Sequence, residues 1–323
     1  MLFRSLIIAP KALTASMIVA DKTYDSTTTA TPTFTIISGL VNSQTLTVTG
    51  TATFGSSNAG TQTATAQTVS LSNGTGLASN YSLSAGQTNT ATITQAPLTI
   101  TGATTSVTYN GSAQTNNTAT ITGKKGTDVI TISGYASATN TATYSDNLSV
   151  TSPALANYNV SYVNGSLTIN KATLTVTGAT TNVTYNGSTQ TNNTATVSGS
   201  KGADTFTVTG YALGSDAGTY SDILVASSPA SANYNINYSN GSLVIGKVTL
   251  AVTANNQSRI YGDANPTLTY AITGYVNGED SSLITGAPTI TTAATTTSNV
   301  GNYTITSAAN NLSAANYQFS YVN

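Results

Sequence analysis

The sequence predicts an all-β protein of tandem antiparallel β modules, each an Ig-like sandwich or a β-grasp-like sheet, joined as beads on a string into an extended rod. Three observations carry this. Apolar residues alternate with period two along short runs: Leu98 and Ile100 face one way, Thr99 and Thr101 the other, and Leu174/Val176, Leu250/Val252, Leu167/Ile169 and Leu243/Ile245 repeat the pattern. The chain is rich in Thr and carries 18 Tyr, residues that suit a half-buried pleated surface better than a helix. It also repeats itself. TSVTYNGSAQTNNTATITG (105–123) returns as TNVTYNGSTQTNNTATVSG (181–199), and ALANYNVSYVNGSLTI (154–169) as ASANYNINYSNGSLVI (230–245). The period of about 76 residues is long enough for each module to form a small core of its own.

Taken in order, residues 1–12 are expected to be the last strand of a truncated upstream module. Modules then follow at 13–96, 97–171, 172–247 and 248–323, the last without its final strand. Tyr24, Tyr109, Tyr185 and Tyr261 hold one early position in the four modules, and Asn-Tyr recurs at 80–81, 157–158, 233–234 and 316–317. Within 97–171 strands are expected near 98–102, 106–110, 118–123, 128–135, 141–150, 158–163 and 166–169. The Asn-Gly pairs at 110–111, 164–165, 186–187 and 240–241 are expected to make tight hairpins. SPALANY and SPASANY have room for one helical turn. The junctions ITQAPLTI (93–100), INKATLTV (169–176) and IGKVTLAV (245–252) leave almost no linker, hence a semi-rigid rod that a compact scattering profile would contradict.

The opening residues superficially suggest a secretory signal, with Arg4, an apolar run and Ala20. Pro10 and Lys11 interrupt that run, however, and IIAPKALTA (7–15) aligns with the module junctions instead. NYQFSYVN at the other end stops where the earlier copies continue into YVNGSLTI. The last module should therefore expose a sheet edge, and be the least stable and most prone to self-association.

Composition removes most chemistry. The chain has 323 residues, 6% charged, with no His, Cys or Trp and a net charge of -1. His-dependent triads, thiol nucleophiles, redox pairs and the usual zinc or haem ligand sets are excluded. Nine Lys and Arg, thinly spread, make no basic stripe, so nucleic acid is excluded as a partner. No transmembrane span is present. A carboxylate pair or a Ser-Lys site remains formally possible, but a single Glu and no convergent polar motif argue against an enzyme.

ADKTYDSTTTATP (20–32) resembles the opening of the YDG domain, a bacterial surface-protein module, and the later modules resemble MBG domains. The most specific stretch is SRIYGDANPTLTYAITGYVNGED (258–280), whose Tyr-Gly-Asp, Asn-Pro and Gly-Tyr-Val-Asn-Gly-Glu-Asp elements are similar to the YGX type. Ser26 stands where the first family usually has Gly. The resemblance implies the repetitive stalk or passenger regions of large bacterial adhesins, filamentous-haemagglutinin-like exoproteins among them, and no defined ligand.

No catalytic residue, metal site or cofactor is assigned, and any ligand-binding residues stay unassigned. Asp204, Asp216 and Asp222, or Asp263, Glu279 and Asp280, could in principle gather around calcium, but no EF-hand or nonapeptide pattern is present and turn-serving Asp is the favoured role. Lys171 and Lys247, the lysines repeated at the module junctions, could in principle enter a Lys–Asn cross-link; a solvated junction role is favoured. Tyr109, Tyr158, Tyr162 and Tyr211 are expected to pack with hydroxyls bonded to backbone rather than to stack on sugars. Sequons at Asn73, Asn116, Asn147, Asn192 and Asn302 are expected from an Asn-, Ser- and Thr-rich composition and to be mostly unmodified. A flat Thr array for ice is disfavoured, since such arrays use shorter repeats. The expected role is an extracellular or bacterial cell-surface spacer, adjacent modules of the same chain being its immediate partners. The alternative is that the repeats themselves bind a surface receptor on a host (a glycan or matrix protein) or a sister cell multivalently.

Overall fold

Alternation of Thr with aliphatic residues folds into strands whose inward and outward positions alternate in step. In Thr14–Val19, Ala15, Met17 and Val19 are buried between exposed neighbours. Leu98, Ile100, Leu174, Val176, Leu250 and Val252 are fully buried, each worth about 1.5–3 kcal/mol relative to exposure. The computed structural model describes residues 4–323. Helical structure among them is limited to single 3-10 turns, two at the expected Leu155–Asn157 and Ser231–Asn233. No helix among the described residues is long and apolar enough to cross a membrane.

The two middle repeats share one plan. In the first, Ala96–Gly102 runs antiparallel to Ala119–Thr122 and parallel to Tyr158–Val163. A second three-stranded sheet has Ser166–Asn170 between Thr104–Thr108 and Ala142–Ser145, and two small pairs complete the repeat. Residues 172–247 reproduce this with Ala172–Gly178, Ala195–Ser198 and Tyr234–Ser239 in one sheet. Ser242–Gly246 lies between Thr180–Thr184 and Gly218–Ser221 in the other. The first module has a five-stranded sheet of its own, Lys22–Thr23, Thr88–Thr94, Gly60–Asn73, Leu46–Phe54 and Thr29–Ala30 in that order.

Several expectations are corrected. The sheets are mixed, not purely antiparallel: the first and sixth expected strands of a module pair parallel because a long connection, not a tight turn, joins them and sets no opposite direction. The strand expected over 141–150 splits into Ala142–Ser145 and Ser149–Thr151 at Asp146, whose carboxylate turns into the interior. That over 128–135 shortens to Thr131–Ser133. The Asn-Gly pairs are not hairpin turns. Asn110 and Asn186 close Asx turns onto Ser112 and Ser188, and the strands flanking 164–165 and 240–241 belong to different sheets. Gly241 is required there by close approach, since a Cβ would lie 2.0 Å from the Ala179 carbonyl oxygen. Of the strand expected over 1–12, only Lys11–Ala12 forms, pairing with Tyr81–Ser82 of the following module. Leu6, Ile7 and Ile8 are exposed, and residues 1–3 lie outside the described residues.

Contacts divide the chain into two units: one of residues up to Val107 with Ala113–Ile169, the other of Thr108–Ser112 with Asn170–Asn323. Inside the first, one buried cluster runs from Met17, Phe54 and Ile93 into Leu98, Ile100, Val150 and Tyr158. Inside the second, Tyr185, Leu243 and Ile245 share a cluster with Leu250 and Tyr317. At the 96/97 and 247/248 boundaries the core thus continues from one repeat into the next. The cause is local: a single residue, Gln95 or Lys247, separates the last strand of one repeat from the first of the next, so their buried faces join.

Candidate functional site

Two polar constellations stand out, and each recurs with the sequence period. The first is a buried Asn–Asp pair. Asn116 donates from Nδ2 to both Asp146 carboxylate oxygens (3.1 and 3.0 Å) and to the Ala103 carbonyl, and accepts from the Thr105 hydroxyl. Asp146 also accepts from the Ala136 amide at 2.8 Å. Asn192, Asp222, Ala179, Thr181 and Ala212 repeat every one of these bonds, and the Gly241 amide adds another to Asp222. Asn and Asp here are 3% exposed or less. Their further partners are Thr hydroxyls and backbone groups, so every polar atom of the pair is bonded within the fold.

The second constellation is a clasp in which the early-position tyrosine of one repeat meets a carboxylate and the Asn-Tyr tyrosine further along the chain. In the first unit Tyr24 and Tyr158 both donate to Asp128 Oδ2, at 2.9 and 2.6 Å. In the second, Tyr109 and Tyr234 both donate to Asp204 Oδ2, at 2.9 and 2.6 Å. The third clasp uses Glu279, with Tyr185 on Oε1 at 2.5 Å and Tyr317 on Oε2. The tyrosine rings of each clasp pack edge to face, with centroids 5.4–5.7 Å apart. Tyr158, Tyr234 and Tyr317 also accept from the amides of Lys125, Lys201 and Val276. The neighbouring Asn binds the preceding repeat: Asn157 bridges Asn58 and Ala59, and Asn316 bridges Asp216 and Ala217. The early-position tyrosine of each clasp, Tyr24, Tyr109 or Tyr185, opens a turn whose third residue lies against the residue two before the carboxylate. Gly187 against Asn277 is one case, where a Cβ would come within 2.5 Å and φ is +73°.

Phenol ionisation is opposed throughout. Burial first, then the bond to Asp128 or Asp204, pushes Tyr158 and Tyr234 up to about 12. The Glu279 bond first, then burial, does the same for Tyr185. Tyr24, Tyr109 and Tyr317 are raised by burial and by their carboxylates. The clasp thus holds its phenols in the neutral, hydrogen-bond-donating form.

The acidic residues considered for calcium are not brought together. Asp204 and Glu279 sit in different clasps, Asp222 in the buried pair, and Asp216 accepts from Asn316. Asp263 is exposed, and Asp280 caps the Ser281–Leu283 turn. No three potential metal-ligating side chains converge among the described residues. Lys171 is exposed, and Lys247 Nζ donates to the Ala314 carbonyl at 3.0 Å. Tyr109 and Tyr158 are buried as expected, but their hydroxyls donate to carboxylates; Tyr162 is exposed and Tyr211 half-buried. Asn116 and Asn192 are unavailable to a glycan because their amide nitrogens are buried and bonded, whereas Asn73, Asn147 and Asn302 are exposed. Sequence reasoning missed Asp128, Asp146 and both Asn–Asp pairs. One signal could have found them: in a chain with few charges, Asp128/Asp204 and Asp146/Asp222 recur at the same 76-residue offset.

Near the start of the chain, Asp25 is held in the turn that follows Tyr24. Burial opposes its charge, but bonds from Lys22 and from the Thr27 amide and hydroxyl outweigh that and hold the carboxyl down at about 2. Ser26 has φ +65°, the left-handed region that favours Gly.

Fold and site together define a class: an all-β chain with internal sequence repeats, in which Asp128, Asp146, Asp204, Asp222 and Glu279 serve internal polar pairs and clasps. Residues 9–91 match the family model of the YDG domain, and residues 250–323 that of the MBG domain (YGX type). No curated protein matches the chain. Among solved structures it is similar to the crystal structure of Drosophila N-cadherin EC1-4, with 8% identity over 99% of this chain and 94% of that one. The TM-score of 0.21 is too low to carry an argument about fold.

Proposed function

We propose that the chain is a non-catalytic spacer within a large bacterial cell-surface or secreted adhesin, acting outside the cell to hold a binding region at a distance. The observation that carries this reading is the clasp, present three times: the residues best suited to chemistry are engaged in fastening one stretch of repeats to the next. Matches to YDG and MBG domains, which are associated with surface-protein repeats, support it. So does a cysteine-free, Thr-rich surface of low charge, which suits an extracellular setting.

Two measurements test it. Antibodies against the chain should label intact, unpermeabilised cells of the source bacterium, and labelling only after permeabilisation would sink the surface assignment. Beads coated densely with the chain should retain neither sister cells nor glycan or matrix ligands. Retention that climbs steeply with coating density would replace the spacer by a multivalent binder.

A further inference from the structure

In the last repeat a cleft of about 650 Å³ lies between the irregular segment 256–261 and the segment 298–305. Its place in the fold is defined by three markers shared with the middle repeats. The Tyr303 hydroxyl donates to the carbonyl four residues back, as do those of Tyr144 and Tyr220. The Asn323 side-chain oxygen accepts from the Ser307 amide, as Asn164 does from Leu148 and Asn240 from Leu224, always sixteen residues apart. Val248–Ala254 pairs parallel with Tyr317–Val322 as Ala172–Gly178 does with Tyr234–Ser239.

With these in register, 256–260 corresponds to Thr180–Thr184, and 301–304 to Gly218–Ser221. Between those two strands the third repeat holds Ser242–Gly246, parallel to the first (Thr181 opposite Leu243, Val183 opposite Ile245) and antiparallel to the second (Tyr220 opposite Leu243). Leu243 and Ile245 are the buried side chains of that strand. The cleft of the last repeat presents a matching floor. Ile305 stands two residues beyond Tyr303, as Asp222 does beyond Tyr220, and Leu268 seven beyond Tyr261, as Asn192 does beyond Tyr185. Ile305 thus takes the Asp222 position and Leu268 lies next to the Asn192 position in the strand register, so two apolar side chains line the cleft where the third repeat has its polar pair. Arg259 and Asn265 tie the cleft's lip to the carbonyls of Thr295 and Ala294. Beside it, Tyr261 is 62% exposed where Tyr109 and Tyr185 are 4% and 6%.

We propose that this cleft is an acceptor site for one extended strand of the repeats' own type, Gly-Ser-Leu-(Thr/Val)-Ile, entering parallel to 256–260 and antiparallel to 301–304 with its Leu and Ile on Ile305 and Leu268. The main chain supplies the ladder and the two apolar side chains supply selectivity. The site is independent of the spacer reading; it would serve a binder equally.

The test adds a labelled peptide, NGSLTINK (residues 164–171), to the full chain and follows fluorescence anisotropy, melting temperature and amide exchange. Saturable 1:1 binding is expected, with a raised melting temperature and slowed exchange confined to 256–260 and 301–304. A peptide carrying Leu167→Asp and Ile169→Asp should bind roughly a hundredfold or more weakly, as should the chain carrying Ile305→Asp. Because that variant could perturb the last repeat, a second version of the chain with Gly-Ser-Leu-Thr-Ile-Asn appended after Asn323 should show the same exchange protection and lose affinity for the free peptide. Equal binding of the two peptides, protection elsewhere, or self-association of the chain that the peptide does not compete would overturn the proposal.

Discussion

The third repeat, 172–247, and the last, 248–323, begin alike and end differently. Leu174/Val176 and Leu250/Val252 are equally buried, and the parallel partners Tyr234–Ser239 and Tyr317–Val322 start on a fully inward tyrosine in both. The second half of the third repeat is a sheet over the Asn192–Asp222 pair; the corresponding stretch of the last repeat is irregular around a cleft with Ile305 and Leu268. Tyr185 is inside a clasp, while Tyr261 faces solvent. A 76-residue repeat is therefore two half-structures: one built on its first strand and that strand's parallel partner, complete in both repeats, and one built around a central strand, Ser242–Gly246, formed as a sheet only in the third.

The largest test of that difference removes the polar pair. Asp222→Ala leaves the Asn192 amide and the backbone N–H groups of Ala212 and Gly241 buried without their acceptor, and should cost about 3–5 kcal/mol in denaturant unfolding. Ile305→Ala, at the counterpart of Asp222 but half-buried, should cost no more than about 1.5 kcal/mol. Equal losses would mean that the two second halves are built alike.

Next in size is the clasp. Tyr185→Phe removes a hydroxyl bonded to Glu279 at 2.5 Å and should cost about 1.5–3 kcal/mol, the range for hydrogen bonds to charged groups. Tyr261→Phe, on an exposed ring, should stay within about 0.5 kcal/mol of the parent. A comparable cost at both positions would show that Tyr261 is engaged after all.

Those two residues also mark how far the sequence can be read. Period-two alternation located the buried strands, since inward Leu and Ile leave a local pattern, and the shared phase of Tyr24, Tyr109, Tyr185 and Tyr261 pointed to packing, which holds for the first three and not for Tyr261. The partner of each tyrosine was out of reach, because Asp204 lies 95 residues from Tyr109 and no local pattern links them. Glu279 and Asp204 looked like loose candidates for a cation for the same reason. Parallel pairing was hidden too: hairpin logic describes neighbours, and Ala96–Gly102 meets Tyr158–Val163 only after the whole repeat has been laid down. The break at Asp146 could not be seen from strand propensity, which scores Thr, Tyr and Val around it but not the buried amide that draws its carboxylate inward.

Alkaline pH should act on the clasps and spare the sheets that lack one. Tyr185, Tyr234 and Tyr158 are raised from 10.0 to about 12 when folded. Their contribution is therefore complete below pH 10, where the phenol is neutral in folded and unfolded chains alike, and is lost as pH climbs through about 12. Tyrosinate absorbance should keep rising toward pH 12 together with loss of the edge-to-face ring signal in near-ultraviolet dichroism, and Tyr185→Phe should remove part of that late rise. A late rise unchanged by the substitution would detach it from the clasp.

The smallest effect separates one clasp from another. Asp204 receives both hydroxyls on a single oxygen, whereas Glu279, one methylene longer, divides them between its two. The longer side chain matches a longer connection: Glu279 precedes Tyr317 by 38 residues, Asp204 precedes Tyr234 by 30. Glu279→Asp keeps the charge and withdraws the carboxylate from the tyrosines, so one of the two bonds should lengthen beyond use, at about 1 kcal/mol. Asp204→Glu should cost less, because a longer side chain can fold back while a shorter one cannot extend. If Glu279→Asp proved neutral, the backbone around Asn277–Asp280 would have to be following the carboxylate inward, and the last repeat's first half would be softer than its fully buried Leu250 and Val252 imply.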